Sequence, residues 1–402
     1  MRAALPPFDP MQLATEADPY SCYAAYRAQD PVHRGIAQNP AQRTCWYLFR
    51  YRDVLAALGD PRLGRERPAN TGENAAAASP WLLDRDPPFH TAVRAWLQDV
   101  FSARLTAPFK PRIEAIARAL LAPLRSAGRC GFHTGFAEKL PAAVFAEITG
   151  FEGEDAAQVA GAIEELLAPS RSRHRGGLAR TLAEDRARTL LSRKLERLLD
   201  ARRGMPRDDL ASALLSAADR HPHPLTHDPV RLLLSMLRSG YEVSVSAIAN
   251  GIVTLLQEPD LLASLAAQPE LLDGTVEETL RYESPLRMVD RWVLADFEID
   301  GRQLQRGERV YLVLAAANHD PEQFPDPETL QPARRDGLQL AFGAATHLCL
   351  GATLARRLCR TTFELVARDY AASRIAPPRP RWYPDTNFRI LERLHVELAA
   401  AP

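Results

Sequence analysis

Cys349 is the residue of this sequence best placed to do chemistry. It lies in Ala341-Phe-Gly-Ala-Ala-Thr-His-Leu-Cys349-Leu-Gly351, a glycine-containing loop directly before an amphipathic stretch from Gly351 to about Asp369. A helix N-terminus presents unpaired backbone N–H groups and a partial positive charge. Both favour the ionised sulfur, the form that binds a metal. Two plainer readings stay open on the residues alone. A lone cysteine is often a buried structural thiol. A metal pair with Cys359 is the other, although ten residues of helix turn through about 1000° and carry Cys359 to a different face.

Three further constellations carry charge at helical spacing. Glu278 and Arg281 stand in Glu-x-x-Arg within TVEETLRYESP, so they share a face and can pair. His90 and Arg94, in DPPFHTAVRAWL, sit four apart and put two basic donors on one face. Arg238 and Glu242 are likewise four apart in a long apolar segment, LLLSMLRSGYEVSVSAIANGIVTLL. Each of these, taken alone, reads equally well as a solvated or locally paired helix surface.

The elements that must position these residues are mostly helices. Apolar residues recur at three- and four-residue spacing over 91–125, 136–150, 155–168, 178–202, 228–257, 259–267, 270–283 and 351–369. Strand-like segments are short. They are Cys45–Phe49 and the pair Trp292–Ile299 and Arg309–Val313, expected to join across a turn at Asp300–Gly301. Residues 67–88 and 165–185, the latter with SRSRHRGG at 170–177, are polar or small and read as long loops. Such loops in a compact helical protein often serve as lids or binding loops.

The composition narrows the function classes. The 402 residues carry 50 basic and 50 acidic side chains. Nothing in that balance calls for a nucleic-acid or anionic-membrane partner. Lysine occurs only at 110, 139 and 194, so nearly all the positive charge is arginine. The five cysteines, 22, 45, 130, 349 and 359, are scattered and odd in number. That argues against a disulfide scaffold and for a reducing compartment. The opening residues show no apolar run behind a basic segment, and no stretch reaches the roughly 18 to 20 apolar residues of a membrane span. A soluble, cytoplasmic protein is expected.

The Cys349 loop resembles the heme-binding loop of the cytochromes P450, Phe-Gly-x-Gly-x-His-x-Cys-x-Gly. Phe342, Gly343, His347, Cys349 and Gly351 match, and Ala345 stands where the pattern has its second glycine. Alanine tolerates positive φ less well than glycine, so a slightly reshaped loop is expected. Glu278 and Arg281 match the family's Glu-x-x-Arg helix. Their third partner would be Arg334 or Arg335, from FPDPETLQPARR. His90, Arg94, Arg291 and His347 match the contacts to the heme propionates. The resemblance implies a single, mainly α cytochrome P450 domain over 1–402. A small β-rich part would come from 1–60 and 290–315, and heme b would lie between the long distal helix and the helix after Cys349. Residues 67–88 and 165–185 become substrate-access loops. Cys349 becomes the axial iron ligand, whose thiolate favours O–O cleavage. A ferredoxin-type partner is implied, and Arg356, Arg357 and Arg360 offer a basic patch to steer it.

The sequence departs from the family on the distal helix. The usual Ala/Gly-Gly-x-Asp/Glu-Thr reads Ser239-Gly240-Tyr241-Glu242-Val243. Gly240 and the acid Glu242 are kept. The hydroxyl that helps hold the proton-delivering water chain is replaced by Val243. Ser244 follows, about 100° around the helix. Three explanations compete: the substrate's own hydroxyl or amide completes the relay, the reaction couples radicals rather than inserting oxygen, or the water is simply reordered.

Pocket positions in the family fall at Arg238, Ser239, Arg287, Val289 and Phe388. Two arginines beside a heme cavity need partners. They favour a polar, aromatic, amino-acid-derived substrate, a cyclic dipeptide or short peptide, modified in a biosynthetic pathway by oxidative coupling or hydroxylation. The alternative is hydroxylation or epoxidation of an apolar natural product such as a terpene or macrolide.

Overall fold

The computed structural model describes residues 5–38, 44–68, 82–101, 109–126, 128–168, 177–220 and 228–399. Most of the loop expected at 67–88, and residues 169–176 of the one expected at 165–185, lie outside these. The chain forms two compact units: Met1–Ala92, Glu277–Cys349 and Trp382–Arg389 in one, and Val93–Val276, Leu350–Arg381 and Ile390–Pro402 in the other.

The first unit is built on a five-stranded sheet. Its order is Val32–Ile36, Thr44–Leu48, Arg309–Leu312, Val289–Val293, Leu63–Gly64. Only the contact of Thr44–Leu48 with Arg309–Leu312 is parallel. Side chains alternate along each strand. Trp46 and Leu48 therefore join Val293, Val310 and Leu312 in a core shared with Val54 and Leu58 of the helix Tyr51–Gly59. Cys45, Tyr47 and Phe49 face the other way, onto Phe8 and the helix Tyr20–Gln29. The register sets Asp290 opposite Tyr311 and Arg291 opposite Val310, so these neighbours point to opposite faces.

The strand expected over Trp292–Ile299 is two strands. Val289–Val293 pairs with Arg309–Leu312 as anticipated. Phe297–Ile299 leaves that sheet and pairs with Arg302–Leu304 instead. The Asp300–Gly301 turn closes this small hairpin, with both residues at positive φ (49° and 70°), the backbone a two-residue hairpin turn requires.

The second unit is helical, with one small sheet in the order Arg129–Gly131, His395–Glu397, Arg374–Ile375. Its longest helix, Pro229–Gln257, starts where the Asp228 carboxylate accepts the Arg231 N–H at 2.9 Å and proline occupies the first turn. From Ser244 to Leu255 it is buried all round. The helix Ala352–Asp369 packs on it: a Cβ at Gly251 would collide with the Phe363 ring. Among the described residues, the periodicity over 91–125 falls in the helices Phe89–Val100 and Lys110–Ser126. Among the described residues, the α-helices Tyr20–Gln29, Tyr51–Gly59, Leu210–Arg220 and Leu314–Ala317 were not anticipated; all are short, the longest about three turns. Among the described residues no helix is long and apolar enough to cross a membrane.

Candidate active site

The cysteine loop is held by its own backbone. The Gly343 N–H donates to the Leu340 carbonyl at 2.8 Å, and the Cys349 N–H to the Phe342 carbonyl at 3.0 Å. Gly343 has φ +68° and Ala345 φ +53°. Ala345 thus stands in the left-handed conformation that favours glycine, and it opens a turn of 3₁₀ helix over Ala345–His347. A Cβ in that conformation is strained. Asn318 braces the entry to the loop, its Oδ1 accepting the Leu340 N–H at 2.7 Å. The Cys349 side chain is exposed. Gly351 follows with φ −83°, and its carbonyl accepts the Ala355 N–H in the first turn of Ala352–Asp369. Cys359 is buried in that helix.

Three basic side chains gather in the same unit as Cys349. His90, almost fully buried, lies with its ring centroid 4.1 Å from that of His347. Arg291 is 4% exposed and donates to the Asp290 carbonyl at 2.8 Å. Burial, with Arg65 adding repulsion, pushes the Arg291 guanidinium down to about 10, Asp290 and Asp86 opposing. Burial also lowers His347, against the opposing pull of Asp86. Asp86, which sequence reading passed over, is the hub here. Its carboxylate accepts the N–H groups of Arg65 and Glu66 and stands 3.9 Å from His347 Nε2. The only signal for it was its place directly before Pro87-Pro88-Phe89-His90. Next to it Asp290 is gripped by Arg65 at 2.7 Å and by Arg309 at 2.9 Å.

This donor set fits heme. An exposed thiol on a braced loop suits an iron whose remaining ligands come from the porphyrin. A desolvated guanidinium and two histidines suit the two carboxylates that heme carries. Arg94 lies one turn beyond His90 on Phe89–Val100, half-buried, in the helical unit.

The Glu278 triad is formed and its third member is resolved. Arg281 donates Nε and Nη2 to the Glu278 carboxylate at 2.8 and 3.0 Å, and Arg334 Nε reaches it at 3.1 Å. Burial would raise the Glu278 carboxyl, but Arg281 and Arg334 hold it low. Arg335 does not take part. It is exposed and donates only to the Arg334 carbonyl.

On Pro229–Gln257, Gly240 leaves room for Phe145, whose Cζ would lie 3.1 Å from an added Cβ. Tyr241 is buried and donates to the Glu138 carbonyl at 2.8 Å. Glu242 and Val243 are half-buried. The Ser244 hydroxyl donates to the Gly240 carbonyl at 2.7 Å, and Ser246 repeats the pattern on Glu242 at 2.9 Å. Ser244, named as a catalytic candidate, thus donates to its own helix, and its hydroxyl oxygen can still accept. Arg238 and Ser239 are exposed, with the Ser239 hydroxyl on the Ser235 carbonyl.

Arg287 corrects the reading of two pocket arginines. It is 2% exposed, and Nη1 and Nη2 donate to the carbonyls of Leu13 and Ala14 at 3.0 Å each. Its guanidinium ties down the N-terminal segment rather than serving a ligand. Arg389, unremarked in the sequence, does the same for Glu16 and Ala17 while paired with Glu283. Val289 and Phe388 are half-buried, Val289 opposite Leu312 in the sheet and Phe388 bridged to Leu286.

Comparison with known proteins bears on the family. Residues 160–373 match the family model described as cytochrome P450. The chain is 34% identical over 390 residues to cytochrome P450 monooxygenase PikC of Streptomyces venezuelae, covering 94% of this chain and 91% of the relative. It is 29% identical over 396 residues to the polyketide biosynthesis cytochrome P450 PksS of Bacillus subtilis, covering 95% and 96%. Among solved structures it is similar to P450BioI in complex with a hexadec-9Z-enoic acid ligated acyl carrier protein. The TM-score is 0.80, identity 29%, and coverage 95% of this chain and 99% of that one.

Proposed function

The chain belongs to the cytochrome P450 family and is an oxidoreductase, and from this we propose that it hydroxylates a hydroxyl-bearing, polyketide-type natural product whose own hydroxyl replaces the one missing at Val243. The family implies a heme iron; heme b is the form we propose. When bound, that group supplies oxygen activation with electrons from a ferredoxin-type partner. Cys349 would hold the iron, and His90, Arg94, Arg291 and His347 would hold the carboxylates. Phe342, Gly343 and Gly351 shape the loop that presents the thiolate.

Proton delivery falls to the distal helix. Glu242 is its ionisable group next to position 243. Val243 has no hydrogen-bonding atom to pass a proton on, and the Ser244 proton is engaged by Gly240. Val243 is the observation that carries the reading: a donor is missing where oxygen insertion needs one, and a substrate hydroxyl closes the gap. The polyketide class rests on PksS, whose name places it in polyketide biosynthesis. The solved relative in complex with an acyl carrier protein supports one further element, delivery of the substrate on such a carrier.

The reading of a polar aromatic dipeptide loses the support it drew from Arg287, which is engaged elsewhere. Radical coupling keeps one argument, again Val243, because joining two radicals adds no oxygen atom. Product mass separates the two. With ferredoxin and its reductase, a polyketide lactone bearing a free hydroxyl should gain one oxygen; loss of two hydrogens without oxygen gain would establish coupling. The matched substrate lacking that hydroxyl should turn over at least about tenfold more slowly, and Val243→Thr should restore it. An equal rate on both substrates would refute the role given to the substrate hydroxyl.

A further inference from the structure

The helix Gly177–Gly204 buries one face within its own unit and leaves the other uncovered. Ala187, Leu191, Leu195 and Leu199 line the buried side. At about 100° per residue, Leu182, Arg186, Leu190, Arg193 and Arg197 fall within an arc of about 80° on the opposite side. All five are exposed. Arg186 to Arg197 makes a row about 17 Å long.

The other basic side chains with described positions on this helix have acidic partners. Arg180 pairs with Glu184, Arg188 with Asp185, Lys194 with Asp155, Arg202 with Asp209 and Arg203 with Asp200. Arg186, Arg193 and Arg197 have none. Arg193 and Arg197 stand four apart, a like-charge spacing that works against the helix. Nothing in the packing of the helix calls for it.

We propose that this stripe is a docking surface for an acidic helix of an acyl carrier protein, which would bring the substrate to the enzyme. The inference rests on the carrier delivery proposed for that substrate. The three guanidiniums match carboxylates on one facing helix, and Leu190 within the row and Leu182 at its start add apolar contact. The positive strip is narrow. Asp185 and Glu196, both exposed, bound it on one side, and Asp200 ends it. A bilayer or a nucleic acid would meet those carboxylates as well; a single helix lying along the strip would not.

The test is binding of an acyl carrier protein to the full-length, heme-loaded enzyme at low and high salt, read without turnover. Reversing all three charges (R186E, R193E, R197E) should weaken binding at least tenfold and flatten its salt dependence. The neutral triple variant with alanine should fall between. Reversing Arg231, Arg306 and Arg379, exposed arginines elsewhere, should leave affinity within twofold. A normal carbon-monoxide difference spectrum confirms that each variant keeps its heme site. Absent binding by the unmodified enzyme, indifference to the stripe, or equal loss in both reversed sets overturns the proposal. So does selective loss of binding to phosphatidylglycerol vesicles by the stripe variants when the carrier protein never bound. Because no turnover is measured, a failed product-mass experiment leaves this result intact, and the reverse holds.

Discussion

Ala345 holds a left-handed backbone at φ +53° in the loop before Cys349. A Cβ in that region costs about 1–2 kcal/mol, while a glycine would return about 0.4–1 kcal/mol as unfolded-state entropy. Ala345→Gly should therefore raise stability by about 0.5 kcal/mol, and Ala345→Val should lower it by more than about 1 kcal/mol, since a β-branched side chain is poorly tolerated there. Chemical denaturation of the heme-loaded protein measures both. The motif marked the position, because it records residue types; the positive φ itself is visible only in the folded chain. The two arginines 334 and 335 make the same point. Either was a fair partner for Glu278 in the sequence, and only Arg334 reaches it. Arg334→Ala should cost about 3 kcal/mol by leaving a buried carboxylate under-compensated, whereas Arg335→Ala should stay within about 0.5 kcal/mol. Similar losses in the two variants would mean the triad is not what stabilises this corner.

Among the elements, Ala352–Asp369 and the first half of Pro229–Gln257 were legible because one-sided burial writes a 3.6-residue period into them, and the second half of Pro229–Gln257 because its apolar run is too long for a strand. Their contact was not legible. Gly251 in one lies against Phe363 in the other, with no room for a methyl group. Gly251→Ala should destabilise by about 1–3 kcal/mol through overpacking, measurable as a lowered melting temperature. Adding Phe363→Leu should recover part of that loss, and strict additivity of the two changes would argue against direct contact. The sheet was read less well. Trp292–Ile299 looks like one strand because hydrophobic residues run on past Val293, yet the chain leaves one sheet there and enters a separate hairpin. Strand pairing is chosen by partners distant in sequence, so a period-2 pattern cannot say where one partner gives way to the next.

At the scale of the whole molecule, acid sensitivity follows from a half-buried ion cluster in the unit that carries Cys349. Burial would raise the Asp290 carboxyl, but Arg65 and Arg309 hold it down to about 2, from an ordinary 3.8. Its folded value is thus below its unfolded one, so the carboxylate form favours folding. The contribution, about 2 kcal/mol, is present in full above about pH 4 and is lost as pH falls toward 2. Asp290→Asn should remove most of that pH dependence in denaturation midpoints between pH 4 and 2.5; an unchanged slope would assign it to other carboxylates. None of this cluster was evident beforehand, since Asp290 and Arg309 come from two paired strands and Arg65 from the bend after a third. The division is consistent throughout. Cys349 with its loop, the pairing of Glu278 with Arg281, the shared face of His90 and Arg94 and the substitution at Val243 all depend on residues within about one helical turn or one loop of each other. Backbone geometry alone relates such neighbours, so a linear reading reaches them. Arg287 turning to Leu13 and Ala14, Arg334 prevailing over Arg335, and Asp86 joining His347 to the backbone of Arg65 depend on groups tens to hundreds of residues away. A long, charged side chain is committed by whichever carbonyl or carboxylate the packed core brings within reach, and that is settled only when distant segments pack.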